Sequence, residues 1–457
     1  MDFGRPPGDN ASVIRSWRWV VPLLLAVLVG GSVYFDRQAA RGDREIGVYV
    51  LGGQRMAAGE EVYRRGSEAK PFTYPPFAAV PFVAFVTLPA AWHPTVWFAV
   101  NLLILVAVCR WLHGWARRDH EGLGRPRMWW FWVVTGVFGG RHVVSVFTNQ
   151  SHDLTVLAAL TLGAAAWCRR GAVARTLAGA WVGLGAATKA TPLVFLGLFA
   201  LRRRWSALGA CVAVAVGATL WPDYAFPRAP TAVVAADLQY PEERLGAGAW
   251  WRQWYDVNLA GLRVGGTADA RGAWNAHSVL NQSLSGALHR WFTPVEVPDA
   301  GFVVGNRGDV LVVALPAERV RAVTIVAALF VLGFLAAAAR FGARAVSLAE
   351  GRGAEAQRTV GLGEFAAFAC GMLLLSPQSS KSHFCVWLLP VAFVVDHLLR
   401  RRFDGVAVCL FVAALALGVL SKGLLGREAA NLALAYGSVA GSTLLLLLAT
   451  VRCLQRP

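Results

Sequence analysis

The residues best suited to chemistry fall into four short stretches of the sequence. ARGDREIGVY (40–49) carries two acids, and NQSHD (149–153), TKATP (188–192) and SPQSSKSH (376–383) carry histidines, lysines, amides and hydroxyls. Acids and histidines can transfer a proton, and cations can bind an anion. The same residue types also cap helices or anchor a chain at a membrane surface, so the surrounding elements decide between these roles.

These stretches are embedded in a mainly apolar chain. Its 457 residues are 56% hydrophobic and 16% charged, with a mean hydropathy of +0.48, whereas soluble domains are about 25% charged. About twelve or thirteen apolar runs, such as that at 322–339, approach the ~20 residues that a helix needs to cross a bilayer. The sequence therefore predicts an all-α polytopic membrane protein, with 1–457 as a single integral membrane domain. The first run lacks a small-residue cleavage site and predicts a signal anchor.

The net charge of +17 is of the size seen in nucleic-acid-binding proteins, but its distribution favours another explanation. Basic residues cluster in loops at 110–118, 168–175, 201–205, 340–344 and 400–404. Lys and Arg retained in cytoplasmic loops explain most of the charge, so no nucleic-acid partner is predicted. The seven cysteines form no CxxC pair and lie in or beside apolar segments, which indicates neither a disulfide framework nor a zinc site.

The basic clusters, taken as cytoplasmic markers, predict the order of membrane segments. From residue 113 onward these are 128–147, 153–168, 173–188, 190–201, 204–221, 319–340, 361–376, 383–399, 403–420 and 428–451. The four stretches then share the outer side with a first outer loop (36–74) and a large outer loop (222–318). Between Tyr74 and Trp111 the pattern predicts two short helices broken at 88–94, although the basic loop that follows requires an odd number of crossings. Either one helix is re-entrant or that loop lies outside.

The position of the polar residues favours a site at the membrane surface. A transporter is expected to carry ionisable groups in the middle of its helices and to show inverted repeats. Here the predicted spans are nearly free of charge, and the polar residues gather at outer helix ends and in two long outer loops. The pattern favours an enzyme that a lipid-borne substrate reaches from the side, with a non-enzymatic lipid or sugar transporter as the alternative.

In combination, several motifs resemble glycosyltransferase family 87. They are YPP (74–76), NQSH (149–152), KATPLVFLGLFALRRRW (189–205), NQSLSGALHRWF (281–292) and SPQSSKSHFCVWLLP (376–390), and the resemblance runs from about residue 20 to 450. That family contains polyprenol-phosphate-mannose-dependent α-mannosyltransferases of the GT-C class. The resemblance implies inverting transfer of a sugar, with mannose expected, from a polyprenyl phosphate to a lipid or glycan acceptor. The reaction is expected at the outer face of the plasma (inner) membrane, and another sugar, such as arabinofuranose, is the alternative.

The resemblance places the catalytic base in the first outer loop, within a pattern of Asp, hydrophobic, any residue, hydrophobic, Tyr. The matching string here is EIGVY, so Glu45 occupies the position of the family's Asp, and Tyr49 shares its helix face. Asp43 is the rival base. Asp43 is also well placed to cap a helix, in whose first turn Glu45 would lie. Both roles stay open for both acids.

The resemblance also implies which residues bind the substrates. Donor-phosphate ligands are Lys189, His383 and Arg290, with Lys381 and Arg141 as additions; Arg141, near the end of an apolar segment, is expected to have a partner. The residues expected to contact the sugar or acceptor are Tyr49, Tyr74, Gln150, His152, Asn281 and Gln282. Simple helix capping is the alternative for His383 and for the 281–283 segment. Because the leaving phosphate is already anionic, these cations suffice and no metal or other cofactor is predicted.

Overall fold

The computed structural model describes residues 26–40, 45–63, 70–118, 125–226, 249–260, 262, 278–294, 310–348, 353–400 and 404–456. Asp43 lies outside the described residues, as does most of the predicted large outer loop. Within the described residues the regular elements are helices and no β-strand is present. This confirms the predicted all-α class.

The α-helices follow the predicted segments closely for most of the chain. They are α1 (26–39), α2 (Glu45–Ala57), α3 (Val80–Val86), α4 (His93–Arg118), α5 (Arg125–Asn149), α6 (Asp153–Trp167), α7 (Ala172–Thr188), α8 (Phe195–Leu201), α9 (Trp205–Ala225), α10 (Trp250–Asn258), α11 (Leu284–Phe292), α12 (Ala317–Leu348), α13 (Gly353–Leu375), α14 (Leu388–Arg400), α15 (Gly405–Gly418), α16 (Lys422–Ala435) and α17 (Ser438–Gln455). Short 3-10 helices, Pro76–Ala79, Ala90–Trp92, Thr191–Val194 and Lys381–Trp387, precede some of them.

Seven helices of the described residues are long and apolar enough to cross a membrane, and the pair α15 and α16 adds an eighth if it counts as one bent span. Three shorter apolar helices, Pro76–Val86, Asp153–Trp167 and Thr191–Leu201, account for part of the larger number expected from the sequence. A polytopic membrane protein is therefore confirmed. Several of the predicted crossings are segments shorter than a full span.

The region between Tyr74 and Trp111 contains one helix of spanning length. The segment Pro76–Val86 is short, whereas Ala90–Arg117 is long enough to cross. A proline pair explains the start of the short segment, because Pro76 occupies a helix-initiating position where its missing N–H is no loss. A single crossing here is the odd number that the following basic loop requires.

The predicted single segment 428–451 is wrong. Helix α16 ends at Ala435 and α17 begins at Ser438, while α15 and α16 meet at 87°. The break lies at Gly437, whose φ of 73° is in the left-handed region that favours glycine. A Cβ there would also lie 2.8 Å from the Cβ of Ala287, so the glycine lets α11 approach the start of α17.

Two hydrophobic cores position the polar stretches. The larger core surrounds α13, α14 and α17; the smaller core packs α2 against the 72–86 segment through Tyr49, Phe72 and Phe82. At Gly53 a Cβ would lie 2.5 Å from the carbonyl carbon of Phe82, so only glycine allows this close approach. The smaller core therefore fixes α2, and with it Glu45, beside the YPP motif.

Candidate active site

Glu45 lies in the first turn of α2, as the sequence predicted. Tyr49, one helical turn later, donates a hydrogen bond from its hydroxyl to Glu45 Oε2 at 2.8 Å. Tyr49 is buried in the smaller core, with 1% of its surface exposed. Because the partner is rigidly packed, the carboxylate of Glu45 has a fixed orientation.

The environment of Glu45 favours its protonated form. Burial raises the pKa of the Glu45 carboxyl above its usual value, and the nearby charge of Asp153 raises it further. Lys70, Tyr49 and Lys189 oppose these effects only in part. A carboxylate with a raised pKa is a stronger base than an ordinary glutamate, which suits proton removal near neutral pH.

Three aromatic side chains form a wall beside Glu45. The rings of Tyr74 and His152 meet edge-to-face with centroids 4.2 Å apart, and Tyr49 lies 5.0 Å from His152 and 5.6 Å from Tyr74. The backbone of Tyr74 is held by Tyr63, whose hydroxyl donates to its carbonyl at 2.8 Å. The predicted substrate residues Tyr49, Tyr74 and His152 are therefore brought together, next to Glu45.

His152 is buried and neutral. Burial, together with the charge of Lys189, lowers the pKa of its imidazole to about 4. Neither ring nitrogen makes a hydrogen bond of good geometry with another described residue. Both nitrogens are enclosed by protein, and the nearby Thr188 backbone partly opposes the lowering of the imidazole pKa.

Asp153 is a candidate functional residue that was not predicted from the sequence. It is the first residue of α6, is 4% exposed, and accepts a hydrogen bond from the Ser151 hydroxyl at 2.9 Å. Its Oδ1 lies 2.6 Å from the ammonium of Lys189 and 3.8 Å from Nε2 of His383. Its only signal in the sequence was its position directly after NQSH, where an acid at the start of a helix is usually interpreted as an N-cap.

Lys189 reaches this cluster because α7 ends immediately before it. Its backbone is extended, with φ −159° and ψ 114°, and the 3-10 helix Thr191–Val194 follows. The Lys189 ammonium lies 5.7 Å from the centre of the Tyr74 ring, within cation–π range. The break at KATP thus directs one cation between Asp153 and the aromatic wall.

His383 adds a directed donor to the same cluster. Its Nδ1 accepts a hydrogen bond from the backbone N–H of Ser380 at 3.2 Å. The proton of the neutral ring is therefore assigned to Nε2, the nitrogen that faces Asp153. A small pocket opens here, and its lining includes Asp153, Lys189, Ser376, Ser379 and His383.

Arg141 and Lys381 form a second group of cations. Arg141 donates from Nη1 to the carbonyls of Gly418 at 2.6 Å and Leu420 at 2.9 Å, so the partner expected for it is the end of α15. Lys381 lies within electrostatic range of Arg141 and of Lys422. Its carbonyl contacts Nδ1 of His142 at 2.9 Å, which ties this group to the 3-10 helix that carries His383.

The guanidinium of Arg290 is surrounded by backbone carbonyls. It is 1% exposed and donates to the carbonyls of Ala435 (2.9 Å), Ser278 (2.9 Å), Asn281 (2.7 Å) and Leu434 (3.3 Å). Burial lowers the pKa of its guanidinium to about 10. These bonds join α11 to the end of α16.

Asn281, Gln282 and Gln150 also bind the protein itself. Asn281 donates to the Pro377 carbonyl at 3.0 Å, and Gln282 donates to the carbonyls of Val279 and Leu434, both at 2.7 Å. Gln150, with a positive φ of 55°, donates to Asp36 Oδ1 at 3.1 Å. These amides hold the loops around the cluster, whereas Glu45, Asp153, Lys189 and His383 meet in it.

The chemical capacity of the cluster follows from its charges. It combines a partly buried carboxylate of raised pKa, an ion-paired carboxylate, a lysine, and a histidine that presents an N–H. Within the described residues no group of three or more His, Cys, Asp or Glu side chains could hold a metal ion. The residues present can remove a proton from one group and bind an anion at another.

The comparisons with known proteins place these residues in context. A model described as glycosyltransferase family 87 matches residues 72–377, more than half of the chain. The match includes Tyr74, His152, Asp153 and Lys189, begins after Glu45 and ends before His383. No curated protein and no solved structure matched the chain.

Proposed function

Because the chain belongs to glycosyltransferase family 87 and is therefore a membrane glycosyltransferase, we propose that it transfers mannose from a polyprenyl-phosphate donor to a hydroxyl of a lipid or glycan acceptor. The reaction takes place at the outer face of the plasma (inner) membrane, with inversion at the anomeric carbon. The observation that carries this proposal is that a partly buried carboxylate of raised pKa lies within electrostatic range of the Asp153–Lys189 ion pair, beside which His383 lies. Membership of the family also favours the enzyme over a transporter.

Glu45 is the base in this proposal. It accepts one hydrogen bond, from Tyr49, and its raised pKa strengthens it as a proton acceptor. Asp153 is less suited to this role because its oxygens are engaged by Lys189 and Ser151. Asp43 lies outside the described residues and remains the rival.

Lys189 and His383 bind the phosphate that leaves. The Lys189 ammonium and the Nε2–H of His383 converge on one side of the pocket, and both face Asp153. Asp153 acts as a positioning residue, since it orients both donors before the donor phosphate arrives. Lys381 and Arg141 extend the positive region toward the start of the same 3-10 helix. Arg290 supports the site by fixing α11, through its bonds to backbone carbonyls.

The displacement balances with these groups alone. The acceptor oxygen forms a bond to the anomeric carbon while the bond from that carbon to the phosphate oxygen breaks. The acceptor proton passes to Glu45, and the polyprenyl phosphate leaves with the bonding electrons, stabilised by Lys189 and His383. Attack from the side opposite the phosphate inverts the anomeric centre. The Tyr74 ring packs against the sugar, and the buried Tyr49 and His152 rings support it from behind.

The test is transfer from defined donors. Purified full-length protein is incubated with radiolabelled polyprenyl-phosphate-mannose and total membrane lipids, and labelled products are separated. A labelled glycolipid or glycan supports the proposal. Transfer only from another donor, such as polyprenyl-phosphate-arabinofuranose, would overturn the mannose assignment, and transfer from no polyprenyl-linked sugar would overturn the donor class.

A further inference from the structure

The helices that form the candidate active site share a second meeting point at their other ends. Helix α6 starts at Asp153 and ends at Trp167, about 22 Å away at 1.5 Å per residue. Helix α7 ends beside Lys189 and starts at Ala172, and the 3-10 segment that starts at Thr191 continues through α8 to Leu201. Helix α13 ends at Leu375, beside the pocket, and carries Gln357 near its other end. The far ends therefore meet about one helix length from the site.

A small pocket, partly open to solvent, lies at this far meeting point. Its lining consists of Trp167, Arg169, Arg170, Arg175, Arg204 and Gln357. These residues come from three separate segments: the end of α6 with the following turn and the start of α7, the turn before α9, and the start of α13. Gln357 donates to the Trp167 carbonyl at 2.9 Å and joins two of these segments. We name this cavity the arginine pocket.

The nearby carboxylate is already engaged. Glu364 is fully buried; its Oε2 accepts a hydrogen bond from Trp167 Nε1 at 2.8 Å, and its Oε1 lies 3.0 Å from Nε of Arg202. Arg202 is not one of the lining residues. Glu364 therefore pairs with Arg202 and also attracts Arg204, but a single carboxylate does not balance the charges of the four lining arginines.

Two of the lining arginines, Arg175 and Arg204, repel each other. None of the four makes a side-chain hydrogen bond or ion pair with another described residue. Burial lowers the pKa of the Arg204 guanidinium, the charges of Arg175 and Arg202 lower it further, and the charge of Glu364 opposes these effects. Like charges held around a cavity gain free energy when an anion enters. Arginines that served only to retain a loop in the cytoplasm would not need to converge on a cavity.

We propose that the arginine pocket binds a phosphate group, at a site separate from the candidate active site. Guanidinium groups match phosphate oxygens through paired hydrogen bonds, and basic pockets between membrane helices bind anionic headgroups. The phosphate belongs to an anionic phospholipid or to a soluble phosphate, and these two sources share the chemistry of recognition. A ligand here ties together the ends of α6, α7 and α13.

The experiment compares ligands on the full-length protein in neutral detergent. Thermal unfolding is measured with phosphatidylglycerol, phosphatidylcholine or inorganic phosphate added, and bound lipid is counted by native mass spectrometry. The pocket variant is Arg175→Gln with Arg204→Gln. The matched control is Arg340→Gln with Arg344→Gln, because these arginines are exposed near the end of α12 and outside the pocket.

Phosphatidylglycerol is expected to raise the unfolding temperature of the wild type and the control, and to bind the pocket variant at least about tenfold more weakly. Stabilisation by inorganic phosphate to the same extent supports the site and identifies a soluble source. Equal stabilisation by phosphatidylcholine would overturn the proposal, as would equal loss of affinity in the pocket and control variants. Adduct counts, measured on folded protein, separate lost binding from lost folding.

Discussion

Two charged side chains, the partly buried Glu45 and the buried Arg290, differ in how completely their hydrogen-bonding groups are used. Arg290 donates to four backbone carbonyls and joins helices. Glu45 accepts one hydrogen bond from Tyr49 and lies beside His152, whose ring nitrogens have no partner of good geometry among the described residues. We therefore expect Arg290, whose donors are saturated by backbone carbonyls, to stabilise the fold. We expect Glu45, which is incompletely paired among the described residues, to contact the substrate.

Replacing the base should have the largest effect on turnover. In Glu45→Gln the acceptor proton has no base, so the transfer rate should fall by about 10²–10⁴-fold while donor binding is retained. Rapid-quench transfer and equilibrium binding of the donor measure the two properties. The control is Glu318→Gln, an exposed acid in the first turn of α12. If Glu45→Gln loses its fold and the Glu318→Gln control loses stability to the same extent, the contrast drawn between Glu45 and Arg290 would be contradicted.

Replacing the saturated charge should instead affect stability. Arg290→Met leaves buried carbonyls without donors, so unfolding should become easier by about 3 kcal/mol or more. Turnover per folded molecule should stay close to that of the wild type. Thermal unfolding and active-site titration measure these, with the exposed Arg319→Met as the control. A variant of normal stability that fails to bind the donor would make Arg290 a phosphate ligand.

The positioning residue should have an intermediate effect. Asp153→Asn frees Lys189 and His383 from their shared partner, so kcat/KM should fall by about 10–100-fold through misplacement of the phosphate donors. Asp153→Glu, which keeps the charge, should recover part of the loss. Steady-state kinetics with varied donor concentration measure the change. If both variants retain wild-type kcat/KM, Asp153 does not position the phosphate-binding residues and serves only as the first residue of α6.

The pH dependence should show the smallest effect. Glu45 must be ionised to act, and burial and Asp153 raise its pKa, so the rate should fall with decreasing pH at a higher pH than an ordinary glutamate would give. In Asp153→Asn the neighbouring negative charge is lost, which lowers the pKa of Glu45 and shifts the acidic limb to lower pH. The kcat/KM profile measures this. A shift to higher pH would contradict the assignment.

The sequence predicted the helices and the four polar stretches because hydropathy and proline or glycine breaks are local signals. It predicted that Glu45 and Tyr49 share a helix face, which the structure places 2.8 Å apart through their side-chain oxygens. It did not predict the pairing of Asp153 with Lys189, since 36 residues separate them and only the packing of α6 on α7 brings them together. The hydrogen bonds from Arg290 to backbone carbonyls could not be predicted either, because a sequence does not show where backbone carbonyls point.

The most direct test of the central claim is single-turnover transfer in Glu45→Gln and Asp43→Asn, measured with a saturating donor and compared with the wild type. If Glu45 is the base, the rate of transfer should fall by about 10²–10⁴-fold in Glu45→Gln and should stay close to that of the wild type in Asp43→Asn. Loss of transfer in Asp43→Asn alone, with Glu45→Gln active, would contradict it and identify Asp43 as the base.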